Sequence, residues 1–195
     1  MIGKTLDFVR RRLDAYLRAE LTGGVDDPVA DKVVFLEGDK LEPLGFKDES
    51  VSVLLINVEE ERLLRAADRQ VRVEADKRIL RAQPELRLIL HVLFVARCKQ
   101  YAAAWDHLTK VIEYLQSHRI LDRSDQRDLP SHLERLTFEL MPQSFSEQSN
   151  IWSMLRVSYL PSALYRVGLV VLRDVRPVAA DPVTQPITVH VRSVS

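Results

Sequence analysis

The first apolar residues of the chain recur at helical steps. Ile2, Leu6, Val9, Leu13, Tyr16 or Leu17, and Leu21 fall three or four apart. That spacing puts one apolar stripe on a helix over residues 2–21. "TGGVDDP" then stops the pattern, with Gly23 placed as a C-terminal cap and Pro28 beyond it. "KVVFLE" reads as a short strand and "GDKLEPLGFKD" as a loop. From Val51 to Val58 the chain is apolar at successive positions, and then abruptly acidic. An extended segment of that kind is a central strand that runs out of the core. "AADRQVRVEADKRILRAQ" is polar and irregular, which suits a solvated arm or hairpin tip over residues 66–83. After Pro84, Leu86, Leu88, Leu90, Val92 and Phe94 alternate. This predicts a long strand with one apolar face.

The second half is punctuated in the same way. "QYAAAWDHLTKVIEYLQSH" carries a stripe of Tyr101, Trp105, Leu108, Val111 or Ile112, and Leu115, so it reads as a helix. "LERLTFEL" alternates, with Leu136, Phe138 and Leu140 inward. "SFSEQSNIWSMLR" reads as a helix that Ser144 or Ser146 can cap. "ALYRVGLVVLR" closes the core as a strand, with Tyr165, Val167, Leu169 and Val171 on one face. From Arg176 the chain turns proline-containing and poor in large apolar residues, with a short strand-like "ITVHV" near its end. The expected fold class is α+β, a mainly antiparallel sheet with helices packed on one face. The expected division is a domain over 1–175 and a C-terminal tail over 176–195.

Composition narrows the function classes. The chain has 195 residues, 46% apolar and 29% charged, enough for one globular domain. Lysine plus arginine equals aspartate plus glutamate at 28 each. A nucleic-acid binder usually carries a basic excess, so no nucleic-acid partner is expected. The one cysteine, Cys98, can form no intrachain disulfide, which fits a reducing compartment. The first residues are charged every few positions and form no secretory signal. No apolar run reaches about 18 residues, so no membrane insertion is expected.

Candidate chemistry is sparse. His91, His107, His118, His132 and His190 fall on separate elements, with no paired spacing, and Cys98 has no CxxC partner. No metal site and no cofactor are expected. Glu59, Glu60, Glu61 and Arg62 could supply paired carboxylates for acid–base work. Their place, where a buried strand leaves the core, suits a charged strand end in solvent or at a subunit contact. No phosphate-binding glycine loop and no GxSxG elbow occurs. Ser162 after Pro161 is a conceivable lone nucleophile, but without a paired base it reads as a turn. Arg10, Arg11 and Arg12 lie about 100° apart around the first helix and read as a solvated face. Trp105 and Trp152 sit among apolar residues and read as core, with an interface anchor as the alternative. In the arm, Arg69, Arg72 and Arg78 suit a polar rim that gives register to a contact. In the tail, Ile187, Val189 and Val191 suit a strand added to a neighbour's sheet edge.

A family resemblance sharpens this picture. Asn150-Ile151-Trp152, then Leu155, then "SYLPSALYRVGLVVL" with Tyr159, Pro161, Ser162 and Tyr165, resembles the amino-terminal domain of cap, or tail-terminator, proteins. These belong to extracellular contractile injection systems, phage-tail-like particles of the antifeeding-prophage type. The opening helix, the strand ending in "VEEER" and "PELRLILHVLFVAR" with its following helix match in order, over residues 2–173. Trp105 departs from the pattern, which has a small or leucine-type residue there. The resemblance implies a structural protein, not an enzyme. It implies a six-membered ring on the last layer of inner tube and contractile sheath, which ends tail growth and ties sheath to tube. It also implies that Trp152, Tyr159, Pro161 and Tyr165 orient a helix against the last strand. The chain would be made in the cytoplasm and then join a particle that is cytoplasmic, membrane-held or released. The alternative from the residues alone is a small enzyme or regulator of unknown substrate on an α+β scaffold.

Overall fold

The computed structural model describes residues 1–21, 30–36, 44–61, 71–73, 79–81 and 87–171, the two short segments and residues 170–171 by backbone alone. Its elements in chain order are α1 (Ile2–Leu21), β1 (Val33–Phe35), β2 (Ser50–Glu60), β3 (Val71–Val73), β4 (Ile79–Arg81), β5 (Arg87–Arg97), α2 (Tyr101–Ser117), β6 (Ile120–Asp122), β7 (Leu133–Leu140), α3 (Phe145–Leu155) and β8 (Ser162–Val171). The chain divides into two compact units, Met1–Leu64 with Glu85–Leu172 and Arg65–Pro84 with Arg173–Ser195. Gly23 and Pro28, the expected stop of α1, lie outside the described residues.

The first unit is built on a six-stranded sheet of order β1-β2-β5-β8-β7-β6. Only β1 pairs in parallel, with β2; every other pair is antiparallel. The α+β class and the mainly antiparallel sheet are as the pattern predicts. The distribution of helices is not. One face carries Val51, Val53, Val92, Phe94, Tyr165 and Val167 beneath Leu13 and Leu17 of α1 and Leu108, Val111 and Leu115 of α2. The opposite face carries Leu54, Leu93, Val95 and Leu164 beneath Trp152 of α3, with Phe46 alongside. Successive strand residues point to opposite faces, so both sets come from the same strands. Helices therefore cover both faces rather than one. Likewise β5 is not a strand with one apolar face, because Leu93 and Val95 are as buried as Val92 and Phe94.

Four further details differ from the pattern. β6 was not expected; its three residues are too few to show alternation. β2 leaves the core after Leu54, earlier than its apolar run suggests, and Leu55 and Val58 are exposed. A register shift between Leu55 and Asn57 marks the exit, the kind of bulge that re-aims strand residues. Leu140, at the last position of β7, is exposed where Leu136 and Phe138 are buried. On α2 the inward residues are Ala104, His107, Leu108, Val111 and Leu115, while Tyr101 and Trp105 are exposed. The small Ala104 lets the start of the helix approach the sheet, which an inward Trp105 would hold off.

In the second unit, β3 and β4 pair antiparallel. A hairpin thus occupies the centre of the 66–83 arm.

Candidate interaction surfaces

Helix α3 stands where local chemistry places it. Ser144 is its N-cap, accepting from the Glu147 backbone N–H through Oγ, and the Glu147 carboxylate accepts in return from the Ser144 N–H at 2.8 Å. This capping box satisfies two donors at the helix start. The Ser144 N–H, and then the Ser144 hydroxyl at 2.7 Å, donate to the Glu147 carboxylate and hold it below its usual range. At the other end Arg156 takes a left-handed conformation, φ 54°, and turns the chain out of the helix. Trp152 is the helix's buried residue and meets Phe46 at 6.4 Å and Tyr159 at 5.5 Å between ring centroids. Pro161 is buried, and its carbonyl accepts from the Ala96 N–H at 2.9 Å, which seats β8 beside β5. Asn150 is exposed, and Ser162 is half-buried. Tyr165 does not join this group. Its ring packs edge-on to Phe94 at 5.6 Å on the α1–α2 face. The implied cluster of Trp152, Tyr159, Pro161 and Tyr165 is thus divided by the sheet, because Leu164 and Tyr165 alternate. Burial pushes the Tyr165 phenol up to about 12.

On the outer side of α3 lies an open cleft of about 580 Å³ between the helix and the 157–159 segment. Phe145, Trp152 and Tyr159 supply its aromatic walls, Ser149, Ser153 and Ser158 its hydroxyls, and Arg156 its one charge. Arg156 forms no ion pair with any described residue. Phe145 projects almost wholly into solvent. Sequence reasoning missed Phe145, whose only signal was an apolar residue flanked by serines at a helix start.

The acidic end of β2 is organised by its neighbours. Asn57 lies opposite His91, His91 opposite Arg166, and Arg166 opposite Glu139, one polar row across β2, β5, β8 and β7. Glu59 accepts from Asn57 Nδ2 at 2.9 Å and faces His91 Nε2 at 3.4 Å. Glu61 and Glu139 both pair with Arg166, at 2.7 and 3.4 Å. Glu60 lies at the strand end on the opposite face, across from Leu88. Glu61 and Glu139 thus meet on one arginine, which neutralises them, while Glu60 lies on the other face; this is an ion-paired row rather than the carboxylate pair of acid–base work. Arg62, Arg69, Arg78, Ile187, Val189 and Val191 lie outside the described residues. Arg72 lies in β3, of which only the backbone is described.

The arginines of α1 do not form a solvated face. Arg10 pairs with Asp7 and Asp31 and donates to the Val33 carbonyl. Arg12 pairs with Asp128 at 2.8 Å and donates to Gln126. Arg11 alone of the three is largely exposed, pairing with Asp7. Asp14, unmarked in the sequence, is buried and accepts from the Lys32 and Val33 backbone N–H groups at 2.6 and 2.9 Å. It fastens β1 to the helix.

Cys98 Sγ and His107 Nδ1 approach at 3.7 Å. The geometry does not activate the thiol. His107 Nδ1 is 2.7 Å from the Ala103 carbonyl, so that nitrogen carries the proton and donates to it. Burial and the nearby Glu49 push the Cys98 thiol up to about 11, away from thiolate. Among the described residues no group of histidine, cysteine and carboxylate side chains converges as a metal site. No helix among them is long and apolar enough to cross a membrane.

The model of the Pvc16 N-terminal domain family matches residues 7–185. The chain belongs to that family. Two solved structures share the fold. One is the sheath/tube terminator of the extracellular contractile injection system PVC in its extended state, with TM-score 0.58 and 20% identity, over 100% of this chain and 63% of that chain. The other is the tube-terminating cap of the anti-feeding prophage, with TM-score 0.56 and 18% identity, over 97% of this chain and 60% of that chain. The chain thus spans less than two thirds of the length of the terminators it matches. No match to a curated protein is found. The family that the Asn150–Leu172 stretch resembles is the one matched. Its domain here has the terminator-like α+β sheet, with the α3 cleft and the β2 margin among its exposed features.

Proposed function

We propose that this chain is a structural cap of a contractile injection particle. It forms a ring, of six subunits, on the last layer of inner tube and sheath, ends tail growth and ties the two layers together. The observation that carries this reading is coverage. The family model spans 7–185, and the chain aligns over 97–100% of its length with two terminators. The polar strand ends, the β3–β4 hairpin and the tail supply contacts to ring neighbours, tube and sheath. Function by binding is consistent with the raised Cys98 thiol and the cation-held carboxylates. Zero net charge leaves little repulsion between subunits. Electron microscopy of particles from a source strain lacking this gene tests the proposal. Tails of irregular length are expected. Uniform tails of wild-type length refute it.

A further inference from the structure

Most carboxylates beside the exposed apolar residues of the domain are already engaged. Glu139, next to Leu140, pairs with Arg166, and Asp122, two residues after Ile120, pairs with Arg135. Glu147, two residues after Phe145, is held in the α3 capping box. Beside Val58, Glu59 faces His91 and Glu60 is engaged as well. Asp106 differs. It is exposed, follows Trp105 on α2, and makes no ion pair with any described residue. Trp105 meets Tyr101 edge-on at 6.0 Å between ring centroids, and the two are 39% and 66% exposed. Lys99, two residues before Tyr101, stands beside Glu49, whose carboxylate accepts from the Lys99 backbone N–H at 3.0 Å. Once covered, the Trp105 indole N–H and the Tyr101 hydroxyl both need partners.

The α3 cleft carries the complement. Its charge is Arg156, which is exposed and makes no ion pair with any described residue. Arg156 holds φ 54°, a left-handed position that glycine takes without strain. The backbone there gives no reason for an arginine. Ser149, Ser153 and Ser158 offer hydroxyls beside the rings of Phe145 and Tyr159. The volume of about 580 Å³ lies within the range of clefts that seat ligand-sized groups.

We propose that the α3 cleft of one subunit receives the Tyr101–Trp105 pair of the next, with Asp106 meeting Arg156. The aromatic side chains anchor the contact, the serine hydroxyls accept from the indole N–H, and the charge pair sets the register. Tyr101 and Trp105 belong to α2, which packs on one face of the sheet, while the cleft belongs to α3 on the other. The contact therefore joins unlike surfaces from opposite sides of the sheet. It is heterologous, so it propagates from copy to copy and closes as a ring when the rotation permits. This contact rests on the capping reading and names the surfaces that join the ring.

Assembled particles test it in two ways. A photo-crosslinking p-benzoylphenylalanine placed at position 145 should couple one copy to the first turns of α2, from Tyr101 to Thr109, in another. Charge exchange is the second test. Arg156→Glu and Asp106→Arg should each lower ring occupancy on particles about tenfold, roughly the loss of 1.4 kcal/mol, and the double exchange should recover most of it. Crosslinks that reach only the tube or sheath protein, or another part of a neighbouring copy, overturn the contact. So does the absence of any crosslink between copies, or a double exchange as defective as the singles. If wild-type particles carry no ring of this chain, the capping reading fails and the contact falls with it. A ring whose crosslinks lie elsewhere overturns this contact alone.

Discussion

Trp152 holds the α3 side of the sheet. It is 5% exposed and lies between Phe46 and Tyr159, over Leu54, Leu93 and Leu164. Trp152→Ala removes the centre of that cluster and leaves a cavity in it. We expect a loss of about 3–5 kcal/mol by denaturant titration. A variant that unfolds at the wild-type midpoint contradicts the packing account. His132 acts at the same scale but through pH. Burial, and then the charges of the chain's amino terminus, Lys4 and Arg123, hold it below its ordinary 6.5. Its ring nitrogen Nε2 lies 3.2 Å from the hydroxyl of the buried Thr5. A histidine whose folded value is depressed favours the fold in its neutral form. Its contribution is present above about pH 6.5 and is lost as the pH falls through the folded value. The thermal midpoint of the native chain should therefore drop more between about pH 7.5 and about 5.5 than that of His132→Gln. Equal slopes would remove His132 from the acid response.

At the scale of elements, β7 and β8 approach closely at Gly168. Gly168 lies opposite Thr137, and a Cβ built on it would stand 2.5 Å from Thr137 Oγ1. A side chain at 168 must displace that hydroxyl or part the strands. Gly168→Ala should cost about 1–3 kcal/mol, and Thr137→Ala in the same chain should recover much of it. Penalties that simply add would show that the two residues are uncoupled. The elements that the sequence reveals are those with many turns or alternations. α1, α2, β5 and β8 repeat their period often enough to be recognised, and Ser144 with Glu147 announces α3. What stays hidden depends on partners. Leu93 and Val95 are buried because α3 lies over that end of β5, while His91, two residues before Leu93, belongs to the polar row beyond. No period in β5 itself tells where α3, four elements later in the chain, will settle. Trp105 points outward because Ala104 allows close approach, a packing fact rather than a hydropathy fact. The pairing of Arg10 and Arg12 with Asp31 and Asp128 joins residues far apart in sequence, so three consecutive arginines look solvated when two of them are fasteners.

For the whole molecule, the same logic separates family from site. The family was legible because four stretches agree in order, which needs no knowledge of contacts. The surface features were only partly legible. Glu59 to Glu61 could be read as the charged end of a buried strand, but the exposed Phe145 and the outward-facing cleft required the fold. The account's central claim is that this domain closes the tail as a ring on its last layer. The most direct measurement is cryo-electron microscopy of intact particles at a resolution that traces this chain at the tail end. The account predicts one ring of identical copies, each bearing the two-faced sheet, seated on both the final tube layer and the final sheath layer. Density for the chain elsewhere on the particle, or a tail end closed without it, would contradict the account.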